Sequence, residues 1–206
     1  MEATNEDPVR PFLFIGNALW LDFINTEKMH EGARTDLLNS YAVWVKWLVE
    51  AKVIEASQAE DLRKLGQGPA GEQALAQIKN FRASLRAMAA AGMAGHEIPG
   101  DAISAINILL KRDRGYLQVV PNGDAFAAQN VAAWNDATDI LAPIARSAAD
   151  FLIDNRLHLV HKCESSRCIL HFYDNTKNHG RRWCRMSTCG NRAKAALHYE
   201  KKKMAK

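Results

Sequence analysis

Apolar residues recur three or four positions apart through most of the chain, and Gly, Pro and Asn cluster where that period breaks. Residues 8–15 read as an extended lead-in. Asn17 then stands where a cap precedes a helix carrying Leu19, Phe23 and Ile24 on its apolar side, with Trp20 beside them. Ser40 precedes Val43, Trp44, Trp47, Leu48 and Val49, which predicts a second helix with a broad apolar face. Ser57 and Glu60 have the spacing of a capping box at the head of a short helix ending near Leu65, and residues 66–71 read as a turn. A long Ala-rich helix follows, with Leu75, Ile78, Phe81, Leu85 and Met88 at helical spacing, until the glycines of residues 92–100 stop it. Pro99 suits the first turn of a helix faced by Ile103, Ile106, Leu109 and Leu110. The period then shortens. Residues 116–120 and 125–129 predict a hairpin whose turn has Asn122 and Gly123 at its centre. From Val131 the helical pattern resumes through Trp134, Ile140, Leu141, Ile144, Phe151 and Leu152, with Pro143 expected to kink or split it.

Composition allows one large or two small domains: 206 residues, of which 48% are hydrophobic, 24% charged and 8% aromatic. Glu2, Glu6 and Asp7 precede any apolar run, which argues against a secretory signal. No apolar stretch approaches the roughly 20 residues of a membrane span. A soluble, cytoplasmic protein with no membrane partner is the expectation. The charge is divided. Residues 161–206 hold twelve Lys and Arg against three Asp and Glu, a balance of +9 within an overall +4. Such a basic terminal unit suits a polyanionic partner, although a solvated basic surface would have the same composition.

The cysteines share that segregation. Cys163, Cys168, Cys184 and Cys189 form two Cys-x4-Cys pairs separated by fifteen residues. In a reducing compartment this pattern favours a metal over disulfides, and four thiolates complete a tetrahedral Zn2+ site with no position left for a catalytic water. One structural zinc per chain is therefore expected. His161, His171, His179 and His198 are rival ligands that a full thiolate shell does not need. Between the pairs, residues 169–173 are β-prone. Arg181 and Arg182 beside Trp183, and Arg185 just after Cys184, form an arrangement able to contact phosphates or bases, with Trp183 and Phe172 also suited to the unit's small core. Asn191 can cap a helix whose Arg192, Lys194, His198, Lys201 and Lys202 spread positive charge over much of its circumference, either against nucleic acid or in solvent. The whole reads as mainly α with a small β-hairpin. An α-helical N-terminal domain (residues 1–158) precedes a C-terminal unit (residues 159–206) built as a treble-clef-like or ribbon-helix zinc finger.

In the first helix, Asp22, Asn25 and Thr26 share one side beside Trp20. They either line a pocket for a small polar effector or terminate the helix, with Asp22 paired to an arginine such as Arg34 or Arg82. No nucleophile and base pair, Gly-rich phosphate loop or catalytic metal motif stands in residues 1–160, so enzymatic activity is not expected.

Residues 163–203, with Arg181, Arg182, Trp183, Cys184 and Met186 and then Cys189, Gly190, Asn191 and Arg192 followed by Ala193 and Lys194, resemble the CGNR zinc finger family. Residues 14–26, reading through Gly16, Asn17, Leu21, Asp22, Phe23, Asn25 and Thr26, with Trp44 and Leu48 downstream, resemble the ABATE domain that accompanies this finger in bacterial stress-induced transcription regulators. The resemblance implies DNA binding by the finger, at the nucleoid, through Arg181, Arg182, Arg185, Asn191, Arg192, Lys194, His198, Lys201 and Lys202. One finger offers little contact area, so a homodimer joined through the N-terminal domain is expected, with any effector bound there near Trp20, Asp22, Asn25 and Thr26. The alternatives are an RNA-binding zinc protein, or an enzyme whose site lies in the N-terminal domain.

Overall fold

A computed structural model describes residues 11–131 and 134–204. Local sequence signals set most helix ends. Helix α1 spans Leu19–Ile24 and α2 spans Tyr41–Glu50, where the Ser40 hydroxyl accepts a hydrogen bond from the Val43 amide at 3.2 Å, as its spacing predicts. Helix α3 covers Ala59–Leu65 and α4 covers Pro69–Ala94, the long Ala-rich helix, with Pro69 in its first turn. Helix α5 spans Gly100–Leu110, α6 spans Ala142–Ile153 and α7 spans Asn191–Met204.

Several local expectations are corrected. Asn17 does not cap α1: it adopts φ +60 and Ala18 takes the cap position. Ser57 and Glu60 form no capping box, because α3 starts one residue later, with Gln58 at the cap position, and the Gln58 side chain instead accepts from the Glu55 amide. Pro143 neither kinks nor splits a helix but begins α6, where its missing N–H is no loss; a single 3-10 turn, Asp139–Leu141, precedes it. Part of the helix expected from Val131 falls on residues 132 and 133, outside the described residues, and Val131 itself ends a strand.

Strands β3 (Tyr116–Asn122) and β4 (Ala125–Val131) form the expected hairpin. Asn122 pairs with Ala125, so the two loop residues are Gly123 and Asp124. Gly123 has φ +62 and Asp124 is not left-handed, the signature of a turn with glycine at its first central position. The sequence pattern did not predict a second hairpin, β1 (Glu27–His30) with β2 (Ala33–Asp36). Its loop, Glu31 and Gly32, has positive φ at both residues, the conformation that follows the right-handed twist of the strands.

The main core joins α1, α2, α4, α5 and α6. Trp44 and Trp47 stack at 5.1 Å, Phe23 meets Trp44 edge-on at 5.4 Å, and Trp20 meets Phe151 edge-on at 5.5 Å. These rings are buried with Leu21, Leu48, Ile78 and Leu85, each large apolar side chain contributing about 1.5–3 kcal/mol. Arg82 enters from α4 and is 3% exposed; it donates to the Thr26 hydroxyl at 2.8 Å, to both Asp36 carboxylate oxygens at 2.8 and 2.7 Å and to Glu27 at 3.1 Å. Burial alone would raise the Asp36 carboxyl, but hydrogen bonds from Arg82 and Lys79 hold it at about 2. This network, with Arg86 against Glu27, fastens β1 and β2 to α4.

Strands β5 (Val160–Lys162) and β6 (His171–Tyr173) pair antiparallel after a 3-10 turn that leads from α6. A second, smaller core gathers the four cysteines with Leu170, Phe172 and Trp183, and Leu13 and Ile15 reach into it from the chain's beginning. Alternate residues of β6 turn their backbone groups away from β5, and the N-terminal domain satisfies them. The Asn25 side chain donates to the His171 carbonyl and accepts from the His171 amide, both at 2.8 Å. The Tyr173 amide donates to the Gly16 carbonyl at 2.8 Å, and the Asn17 side chain donates to the Tyr173 carbonyl at 3.0 Å. A strand edge that would otherwise stay open is thereby closed.

Candidate metal centre and basic helix

Two tight loops present the sulfurs. Cys163 follows β5, its amide bonded to the Leu170 carbonyl, and the Cys168 amide closes a turn onto Ser165. Cys184 stands just before a turn of π-helix, Met186–Gly190, that carries Cys189 and runs directly into α7. All four sulfurs are buried and lie within 4.8 Å of one another, with Cys168 and Cys184 3.7 Å apart and Cys184 and Cys189 3.6 Å apart. Thiols this close cannot all ionise without a countercation. Hydrogen bonds from Cys168, Cys184 and Cys189 push the Cys163 thiol down, while those with Cys163, Cys168 and Cys189 push the Cys184 thiol up. Four soft donors in a dry pocket fit a tetrahedral thiolate-bound metal and leave no position for substrate. His161, His171, His179 and His198 lie outside this cluster. His171 is buried against the N-terminal domain, which pulls it down to about 4, and His179 contacts the Asp174 carbonyl.

The predicted nucleic-acid residues separate into two groups. Arg181 is not outward-facing: its guanidinium lies 4.0 Å from the Phe172 ring centre and donates to the carbonyls of Ile15, Trp183 and Cys184. It belongs to the packing between finger and N-terminal domain. Arg182, one residue on, turns outward and pairs with Glu164 at 2.6 Å over the Trp183 ring. Arg185, Asn191, Arg192, Lys194, His198, Lys201 and Lys202 are exposed. Asn191 is no cap, because it has helical dihedrals and its side chain donates to the Ser187 carbonyl within a helix already under way. Helix α7 buries none of its residues. Helical geometry places Asn191, Lys194, His198, Lys201 and Lys202 on one side, while Arg192 and Lys203 share another, so the charge is striped rather than spread evenly. Arg167 is also exposed, in the loop between Cys163 and Cys168.

The residues expected to bind an effector have protein partners instead. Trp20 is fully buried in the core and Asn25 clasps β6. The Thr26 hydroxyl donates to the Phe23 carbonyl and accepts from Arg82. One carboxylate oxygen of Asp22 accepts from the amides of Ile15 and Gly16, at 2.9 and 2.7 Å, and burial pushes its pKa to about 6. These polar groups serve the joint with the finger or the Arg82 network, and none lines the cavities described below. Composition could not reveal this, because the partner of Asn25 lies 146 residues away.

No helix among the described residues is long and apolar enough to cross a membrane. Comparison with curated proteins gives no match. Residues 160–202 match the CGNR zinc finger family, which spans both cysteine pairs and most of α7. Residues 17–155, more than half the chain, match the ABATE family, described as "Putative stress-induced transcription regulator", and the chain belongs to that family.

Proposed function

We propose that this protein regulates transcription by holding α7 on DNA from a finger built around one structural zinc ion per chain. The observation that carries the reading is α7 itself. It springs from the cysteine cluster, buries nothing, and among the described residues none of Arg192, Lys194, Lys201, Lys202 and Lys203 is in an ion pair. A stripe of Lys194, His198, Lys201 and Lys202 on a helix anchored at a metal site suits a groove lined by phosphates, with Arg185 and Arg192 near its start and Arg182 beside the cluster. Arg181 is not part of this surface. Each phosphate contact should steepen the salt dependence of binding by about 0.9 on a log–log plot. Fluorescence anisotropy across a salt series tests this. Lys201→Gln with Lys202→Gln should flatten the slope by up to about 1.8 and weaken all duplexes alike, because mobile lysines reach only the backbone. No binding to any duplex refutes the reading, and stronger binding to structured RNA at matched salt transfers it to RNA.

The N-terminal domain supplies regulation in this reading, as a subunit contact and an effector site, and the protein works at the nucleoid. The hairpin β3–β4 supports the subunit contact. Its register puts Leu117, Val119 and Pro121 on the same face as Phe126 and Ala128, and Leu117, Val119 and Phe126 are well over half exposed. An isolated two-stranded ribbon with an apolar face is marginal in water, and a second copy would cover it. Light scattering should show a dimer that Phe126→Asp dissociates. A monomeric wild-type chain overturns this part.

A further inference from the structure

A cavity of about 710 Å³ opens where the α5–β3 connection, the chain leaving α2 and the start of α6 converge. That volume is in the range of small-molecule sites. Its floor is apolar, with buried Ile140, and its walls carry the rings of Trp134 and Tyr116. Its rim is cationic. Three acids line it, but each is engaged: Asp113 pairs with Arg146 at 2.6 Å, Asp150 faces the same arginine, and Asp139 accepts from the amides of Asn135 and Asp136. Lys52 and Arg114 form no ion pair among the described residues, while Arg112 donates to the Thr138 hydroxyl at 3.1 Å and lies near enough to Asp136 to help hold that carboxyl down. Arg112 and Arg114 also border a second cavity of about 270 Å³. The first turn of α6 lines the same space, and its dipole favours a negative group there.

We infer that this cleft is the effector site of the N-terminal domain and binds a small aromatic carboxylate, the ring against Trp134 and Tyr116 over Ile140 and the carboxylate between Arg112, Arg114 and Lys52. It deepens the regulatory reading given above, and it replaces the effector position expected near Trp20 and Asp22. A ring held against Tyr116, the first residue of β3, puts the occupant of the cleft in contact with the hairpin that would join two subunits.

The test is calorimetric titration of the full-length protein, without DNA, with naphthoate and its neutral amide at fixed ionic strength. Naphthoate should bind once per chain and the amide about tenfold more weakly, with Arg112→Gln and Arg114→Gln each weakening naphthoate by about tenfold, the loss of one charge-assisted hydrogen bond. Lys201→Gln with Lys202→Gln should leave the affinity unchanged. Absence of saturable binding, equal affinity for the amide, or affinity lost only in the α7 variant would each overturn the inference. A failure of DNA binding leaves this titration unaffected, and a failure here leaves DNA binding in place, so the two readings fall separately.

Discussion

Asn25→Ala isolates the joint between the two halves of the molecule. The Asn25 side chain is 2% exposed and makes two hydrogen bonds of 2.8 Å to the amide and carbonyl of His171, itself 7% exposed. Removing it leaves both backbone groups buried without a partner, at about 1–3 kcal/mol each, less whatever a water entering the small space restores. A central expectation is about 3 kcal/mol, or roughly 6–12 °C in melting temperature for a chain of this size. Because the lost bonds close the outer edge of β6, metal release to a chromogenic chelator should also quicken. Asn25→Asp provides the discriminating control. It keeps the acceptor for the His171 amide but sets a carboxylate oxygen against the His171 carbonyl, so it should be at least as unstable near neutral pH and recover as acid protonates it into a donor. Thermal melts with parallel metal-release kinetics decide the matter. A melting change below about 2 °C for Asn25→Ala, with metal release unchanged, would show that the clasp does not hold the finger.

Three further outcomes follow from the same contacts. The Asp22 carboxyl, raised from 3.8 to about 6 by burial, contributes stability that is full below pH 3.8 and lost as pH rises through 6. Asp22→Asn, whose amide oxygen can still accept from Ile15 and Gly16, should therefore gain on the wild type between pH 4 and 7 in denaturant unfolding, and a pH-independent difference refutes the assignment. Arg82→Met takes the guanidinium from Asp36, Glu27 and Thr26, leaving Lys79 on Asp36 and Arg86 on Glu27, and urea unfolding should show a loss of about 3 kcal/mol. The Asp36 part of that network, its carboxyl held at about 2, should be fully present above pH 3.8 and fade as pH falls toward 2. Cys184→Ser should abolish metal in elemental analysis and DNA binding together, while far-UV circular dichroism keeps most of its helical signal, because the main core does not depend on the cluster.

What the sequence made legible was whatever local periodicity or a rare residue type decides. The Ser40 cap, the long α4, the β3–β4 ribbon and the four-cysteine cluster were visible because each signal lies within a few residues of its consequence. Strands β1 and β2 were not, since Glu27, Lys28, Arg34 and Asp36 give them no apolar face; Arg82 and Arg86 arrive from α4 to hold them. Arg181 and Arg182 illustrate a second limit. Adjacent in sequence and equal in charge, they take opposite surroundings, one packing on Phe172 and the other meeting Glu164.

The polar residues of the first helix show a third limit, and it bears on function. Asp22, Asn25 and Thr26 look like ligand-facing groups, because side-chain chemistry does not state whether a partner is a metabolite or a backbone 146 residues away. Contacts from this stretch of chain instead bind the N-terminal domain to the finger: four hydrogen bonds close β6, Arg181 reaches the Ile15 carbonyl, and Leu13 and Ile15 complete the finger's core. A finger fastened this way does not swing on a flexible tether, because reorienting it means unsealing a strand edge and exposing apolar surface at once. Under the function proposed, regulation of α7 by the N-terminal domain would have two physical routes. The domain would change the separation of two fingers by shifting the subunit contact proposed at β3–β4, beside the cationic cleft, or it would release the clasp outright. Asn25→Ala separates them: if its DNA affinity falls while the dimer persists, the clasp route operates, and if affinity follows only the hairpin variant Phe126→Asp, control runs through subunit spacing.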